Sequence, residues 1–194
     1  MTEAETILRW VTTGARVLDL GCGDGRLLRS LWEARQAPGY GVEIDDAHVL
    51  ACIRNDVNVL QMDLEDGLSV FRDRSFDCVI LSETLQAIHR QEPLLKEMLR
   101  VGGEAIVSFP NFGYWRARKQ IALAGHMPVS KELPYQWYDT PNVHHCTLVD
   151  FEALCAKLGF AIRERVVLTG GQRIEYLPNL RGALALYRVG RPDA

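Results

Sequence analysis

Apolar residues along this chain fall into short continuous runs that alternate with stripes spaced three and four residues apart, the two patterns of buried strands and amphipathic helices. Ile7, Leu8, Trp10 and Val11 predict a short leading helix before Gly14. Val17, Leu18 and Leu20 form the first apolar run, a strand buried in a sheet. A helix follows from Arg26 to near Gln36, striped by Leu27, Leu28, Leu31 and Trp32, and Pro38 with Gly39 breaks it. Residues 40–44 predict a second strand. Asp45 or Asp46 then caps a helix carrying Val49, Leu50 and Ile53. Residues 57–62 predict a third strand ending at Asp63, and Asp66 with Gly67 turns the chain. Phe76–Leu81 is a fourth strand. Residues 92–99 are helical through Leu94, Leu95, Met98 and Leu99; Gly102 and Gly103 stop that helix, and residues 104–109 make a fifth strand.

The alternation lapses over residues 110–146, which hold Pro110, Pro128, Pro134 and Pro141 among many aromatics. Residues 114–124 predict a helix there, and the rest an ordered loop. A capping-box start at Thr147 and Asp150 restores the pattern, with Phe151, Leu154, Cys155 and Leu158 on one helix face and Gly159 at its end. Residues 161–168 and 183–189 are two final strands, joined without a helix and therefore antiparallel. Five strands alternating with helices imply an α/β fold, a Rossmann-like, doubly wound sheet of about seven strands. The expectation is one domain over residues 1–194 with a proline and aromatic insertion at about 110–146.

Chemistry enters where the first strand turns. Gly21, Gly23 and Gly25 bring bare backbone and a helix N-terminus toward a ligand. The dinucleotide pattern G-x-G-x-x-G cradles pyrophosphate, but here the third glycine comes one residue early, Arg26 takes its place, and Asp19 precedes the loop. A carboxylate repels pyrophosphate and attracts a cation. S-adenosylmethionine carries an ammonium and a sulfonium and no phosphate, so the loop favours it over NAD. Glu43 follows the loop by about twenty residues, the distance at which an acid reaches ribose hydroxyls. Asp63, ending the third strand, is placed to accept from an adenine amino group with the Leu64 backbone beside the ring. Ser82, after the fourth strand, is placed to shape the methionine end. The bland alternatives are a helix cap for Glu43, a turn residue for Asp63 and a loop-holding role for Asp19. Asp19, Gly21, Cys22, Gly23, Glu43, Ile44, Asp63, Leu64 and Ser82 form the expected cofactor-binding set, for S-adenosylmethionine or S-adenosylhomocysteine; no catalytic residue is assigned.

Charge and cysteine usage narrow the classes. A formal net charge of -3 argues against nucleic-acid binding by bulk charge, so Arg116, Arg118 and Lys119 beside Tyr114 and Trp115 read as a solvated or partner-facing helix side. No apolar run approaches a membrane span of about twenty residues, and the leading residues do not form a signal peptide. The 5 cysteines include no C-x-x-C pair and read as reduced core thiols of a cytoplasmic protein. His144, His145 and Cys146 are adjacent, poor spacing for one tetrahedral ion, so no metal is expected.

The run Leu18-Asp19-Leu20-Gly21-Cys22-Gly23-Asp24-Gly25, with Gly41-Val42-Glu43-Ile44-Asp45 and Met62-Asp63-Leu64, resembles the class I S-adenosylmethionine-dependent methyltransferases. Residues 76–80 and 99–103 follow that family's patterns around strands four and five. Residues 81–86, 108–116, 137–142 and 146–151 resemble more closely the MetW family of methionine biosynthesis proteins. That resemblance implies a protein that binds and supports a homoserine O-acyltransferase, its protein partner; the alternative is an active methyltransferase on a small-molecule acceptor. The run from Pro110 to Phe112 is only faintly similar to the Asn-Pro-Pro-Tyr motif of amino-group methyltransferases, because it follows strand five and lacks the second proline. The insertion reads either as a lid over the cofactor or as a docking surface.

Overall fold

The computed structural model describes residues 1–192. Its strands are β1 (Val17–Leu20), β2 (Gly39–Glu43), β3 (Val59–Gln61), β4 (Phe76–Leu81), β5 (Gly102–Pro110), β6 (Ala161–Thr169), β7 (Gln172–Arg173) and β8 (Leu184–Gly190). The helices are α1 (Glu3–Trp10), α2 (Arg26–Arg35), α3 (Asp46–Arg54), α4 (Gln91–Val101), α5 (Trp115–Lys119), α6 (Leu148–Leu158) and α7 (Pro178–Arg181). The strands form one sheet in the order β3-β2-β1-β4-β5-β8-β6-β7. From β3 to β5 all pairs are parallel; β8 runs antiparallel to both β5 and β6, and β7 antiparallel to β6. The expected antiparallel end is present, and the two-residue β7 raises the strand number to eight.

Side-chain alternation along the strands divides the core into two layers. Val17, Cys78, Ile80 and Ile106 pack against Ile7 and Trp10 of α1 and Leu28 and Leu31 of α2. Leu18, Leu20, Val79 and Val107 pack against Leu94, Leu95 and Met98 of α4 and Phe151 of α6. On that second face Phe109, Phe151 and Tyr187 form an aromatic group with ring centroids 4.7 to 5.9 Å apart, and the Tyr187 hydroxyl donates to Glu152 at 2.8 Å.

Helix ends follow the cap chemistry. Asp45, rather than Asp46, caps α3 by accepting from the His48 amide at 2.9 Å. The expected capping box at Thr147 and Asp150 is complete, and Thr2 with Glu5 builds another on α1. Gly159 closes α6 with φ +70°, and Gly102 ends α4 while opening β5. The last two long strands, expected to be joined without a helix, are connected through β7 and the one-turn α7 (Pro178–Arg181), whose Pro at its start fits the first helical position. Three further differences from the sequence reading are local. The third strand is shorter than residues 57–62, because the chain turns back at Val57, whose amide donates to the Cys52 carbonyl at 3.0 Å. A 3-10 turn over Leu64–Asp66 replaces the plain loop expected after it. In the insertion, α5 runs into a π-helical turn, Gln120–Ala124. No helix of the described residues is long and apolar enough to cross a membrane.

Candidate functional site

The parallel half of the sheet changes winding direction between β1 and β4, and at such a switch point the loops after neighbouring strands splay apart to leave a crevice. A cavity of about 730 Å³ lies there. Gly21 and Gly23 come from the loop after β1, Glu43 and Ile44 from the end of β2, Asp63 and Leu64 from beyond β3, and Ser82 from beyond β4. Seven of the nine residues expected around a cofactor therefore line one cavity.

The glycines are required by geometry. Gly21 has φ +72° and Gly23 φ +55°, a left-handed backbone that costs other residues energy. A Cβ on Gly21 would also lie 2.6 Å from Thr84 Oγ1, so the bare backbone lets the loop after β4 close against the loop after β1. Cys22 is placed differently: its side chain is buried beneath the loop, with Sγ 3.7 Å from Cys52 Sγ and filling the space under Gly41, and it does not line the cavity. Burial pushes its thiol well up, as it does for Cys52, so both rest as neutral packing groups.

Glu43 fastens the loops. Its Oε2 accepts from the Gly23 amide at 2.8 Å, and its Oε1 from the Ile44 and Asp45 amides at 2.8 and 3.1 Å. Asp63 accepts from the Glu65 amide at 2.9 Å, capping the 3-10 turn while its residue remains at the cavity wall. The turn role weighed for Asp63 coexists with its position on the cavity, whereas the helix-cap role weighed for Glu43 falls to Asp45.

Asp19 is the unusual group. It is 2% exposed, and its Oδ1 has no hydrogen-bond partner. Burial first, then the neighbouring Glu3 and Glu43 carboxylates, push its carboxyl up to about 7. Among the described residues, Asp19 Oδ1 and Gln86 Oε1 are the two buried side-chain polar atoms without a partner. Gln86 lines the cavity; Asp19, within β1 two residues before the glycine loop, does not. Buried acceptors left without donors are costly, so both sites suit a ligand that brings donors.

Other residues of the cavity were not expected. Glu83 follows Ser82 with φ +47°, its amide donating to Ser108 Oγ at 2.9 Å; burial, Glu3 and Glu132 push its carboxyl up to about 7. The insertion supplies Lys131, Glu132, Pro134, Tyr135, Pro141 and Asn142 to the cavity wall. Glu3, at the start of α1, accepts from the Ser82 hydroxyl at 2.7 Å and from the Ser108 hydroxyl. Residues after β4 share the switch point and had that positional signal. Glu3 meets Ser82 only through tertiary packing and had none.

The remaining candidates resolve structurally. Asn111 is buried; its amide donates to the Asn179 and Gly182 carbonyls and its Oδ1 accepts from the Gly113 amide, so it holds the chain turn after β5. His145 stacks on Phe112 with centroids 4.8 Å apart, and His144 donates its amide to the Gln86 carbonyl at 3.0 Å. A recess of about 470 Å³ between Trp32 and Pro38 opens at the amino end of β2, away from the glycine loop, and neither buried unpartnered acceptor lines it.

Comparisons with known proteins agree with this architecture. An S-adenosylmethionine-dependent methyltransferase from Thermotoga maritima, described as a possible histamine N-methyltransferase, has a TM-score of 0.70 at 20% identity, covering 98% of this chain and 88% of that one. An S-adenosylmethionine-dependent methyltransferase from Mesorhizobium loti also has a TM-score of 0.70 at 20% identity, covering 97% of this chain and 98% of its own. At such identities the likeness establishes the fold, that of class I methyltransferases. The bifunctional methionine biosynthesis protein MetXA/MetW of Rhodopirellula baltica is 40% identical over 204 residues, 98% of this chain. The chain spans about a third of that relative's length, 33%. The family model for methionine biosynthesis protein MetW matches residues 2–189, and the chain belongs to the MetW family.

Proposed function

We propose that this chain binds S-adenosylmethionine in the cavity between β1 and β4 and acts in methionine biosynthesis by supporting a homoserine O-acyltransferase. The observation that carries the cofactor half is Asp19 Oδ1, a buried carboxylate oxygen lacking any donor beside a glycine loop. An ammonium would supply that donor and the missing positive charge. Ile44, 60% exposed at the cavity wall, and Leu64 offer apolar surface for a purine ring. Glu43 is positioned for ribose hydroxyls, Asp63 for the adenine edge, and Ser82 for the methionine end. Gly21, Gly23 and the Cys22 backbone complete the cradle. S-adenosylhomocysteine offers the same ammonium and adenosine.

The partner half rests on the family and on the R. baltica relative, whose name joins MetXA to MetW in one protein. We take the MetXA part as the acyltransferase. A single methyltransferase-like domain held in the cytoplasm suits such a partnership. Isothermal calorimetry with S-adenosylmethionine should show one site per chain, abolished or weakened at least tenfold in Asp19→Ala. Co-expression should bring down the acyltransferase with this chain, and added cofactor should change its rate. A complex that does not form, together with an unchanged rate, would refute the partnership.

A second reading, methyl transfer to a small acceptor, is favoured by Glu83. Its residue opens on the cavity just past β4, and a carboxyl pushed up to about 7 is suited to taking an acceptor's proton. Turnover of methyl-labelled cofactor in a cell extract, lost in Glu83→Gln, would support it; no labelled product would exclude it.

A further inference from the structure

We propose that Glu3 joins Asp19 as a second carboxylate of the receptor for the α-ammonium of the ligand's amino-acid end, so that α1 is fastened by what the cavity holds. This inference rests on the proposed S-adenosylmethionine site and assigns a recognition role to a residue outside the glycine loop and the strand ends.

The placement is built by long-range contacts. Glu3 opens α1, the helix that packs Ile7 and Trp10 onto the same sheet face as Val17 of β1. Asp19 lies two residues beyond Val17, on that face by strand alternation. The Glu3 carboxylate reaches across the sheet's carboxyl edge to the Ser82 and Ser108 hydroxyls, past the end of β4 and within β5. Two hydroxyls, one of them on a fully buried residue, therefore fix its direction; Ser82 lines the cavity, and Glu3 stands behind it rather than in the lining.

The electrostatics lack a counterpart. Asp19 feels both Glu3 and Glu43, and no positive group offsets them. Among the described residues, neither Glu3 nor Asp19 belongs to an ion pair. The Glu3 oxygen that binds Ser82 and Ser108 is held as an acceptor, while Asp19 Oδ1 has no donor at all. Carboxylates gathered in low dielectric without a cation repel one another and cost stability. A ligand that brings an ammonium and a sulfonium against one carboxylate of its own adds net positive charge and reverses that balance where its ammonium faces the pair, and the serine hydroxyls keep Glu3 from swinging away to solvent. A helix held on that contact becomes a reporter: a ligand with the amino-acid end engages α1, and one without it does not.

The test compares S-adenosylmethionine with 5′-methylthioadenosine, which keeps the adenosine and sulfur but lacks the amino-acid end. Both are titrated into the full chain and into Glu3→Gln, a variant that keeps the acceptor oxygen for the serines. The expected result is at least a tenfold loss of S-adenosylmethionine affinity, with 5′-methylthioadenosine affinity unchanged within about twofold. Combining Glu3→Gln with Asp19→Asn should cost less than the sum of the two single changes. Unchanged S-adenosylmethionine affinity, or equal loss for both ligands, overturns the assignment. As a measurement needing no variant, amide exchange across α1 in the wild-type chain should slow with S-adenosylmethionine and not with 5′-methylthioadenosine; equal protection by the two overturns it too. A wild-type chain that binds neither ligand refutes the cofactor site itself, and with it this role. Binding of 5′-methylthioadenosine with no Glu3 effect on S-adenosylmethionine leaves the site standing and removes Glu3 alone.

Discussion

Asp19 carries a cost that can be measured. Its carboxyl is raised from 3.8 to about 7 by burial and by the facing Glu3 and Glu43, so between those values the folded chain binds a proton that the unfolded chain has released. Stability then falls as pH rises from about 4 to about 7 and levels off above. Thermal unfolding without ligand should show this slope, on the order of a few kcal/mol in total, and Asp19→Asn should flatten it. Glu83, also raised to about 7, adds a slope of the same sign that survives in that variant. A cationic ligand that needs ionised Asp19 should bind more tightly as pH rises toward about 7, with proton release seen as buffer-dependent heat. Glu43 predicts a different signature. It satisfies three backbone amides from two loops, so Glu43→Ala should lower stability by roughly 2–4 kcal/mol in denaturant titration as well as weaken ligand binding.

At the scale of elements, the frame was readable because local chemistry and tertiary contacts agreed. The strand, glycine turn and helix from Val17 to Arg35 need a left-handed backbone at Gly21, Gly23 and Gly25, and glycine stands at each. Thr147 and Asp150 announced α6 by cap chemistry that the structure completes; Thr147→Ala should cost about 1 kcal/mol by thermal unfolding. The insertion was not readable beyond its first helix, because its order comes from distant partners. Asn111 joins Asn179 and Gly182, the Phe112 amide meets the Cys146 carbonyl, and the Gln86 carbonyl takes the Val143 and His144 amides. None of these pairs leaves a period in the sequence. Cys22 divides by atom: its place in the motif marks it for the loop, while its side chain packs downward against Cys52 and Gly41. A Cβ on Gly41 would meet that sulfur at 2.3 Å, so Gly41→Ala should destabilise by roughly 1–3 kcal/mol. Adding Cys22→Ala should recover part of the loss.

Across the whole molecule, the insertion has an inner and an outer side. Lys131, Tyr135 and Asn142 meet the cavity, while Trp137 and Tyr138 stand 72% and 71% exposed, their rings in edge contact 5.6 Å apart. Leu123 is 78% exposed, and Trp115 stands half-exposed beneath the Arg116 guanidinium. Exposed aromatics and arginine of this kind are the groups that dominate protein interfaces when buried by a partner. The same segment thus forms a wall of the cavity and an exposed aromatic face, and under the proposed function it is the physical route that links cofactor occupancy to the acyltransferase. The two sides should separate by mutation. Trp137→Ala with Tyr138→Ala should weaken co-purification of the acyltransferase at least tenfold and leave S-adenosylmethionine affinity unchanged, because neither ring lines the cavity. Asp19→Ala should do the reverse in the absence of cofactor: no ligand heat, but a complex that still forms. Its acyltransferase rate should then ignore added cofactor, whereas the wild-type complex responds. A wild-type rate equally indifferent to cofactor would mean that the inner wall and the outer face are independent, and that ligand binding serves something other than the partner.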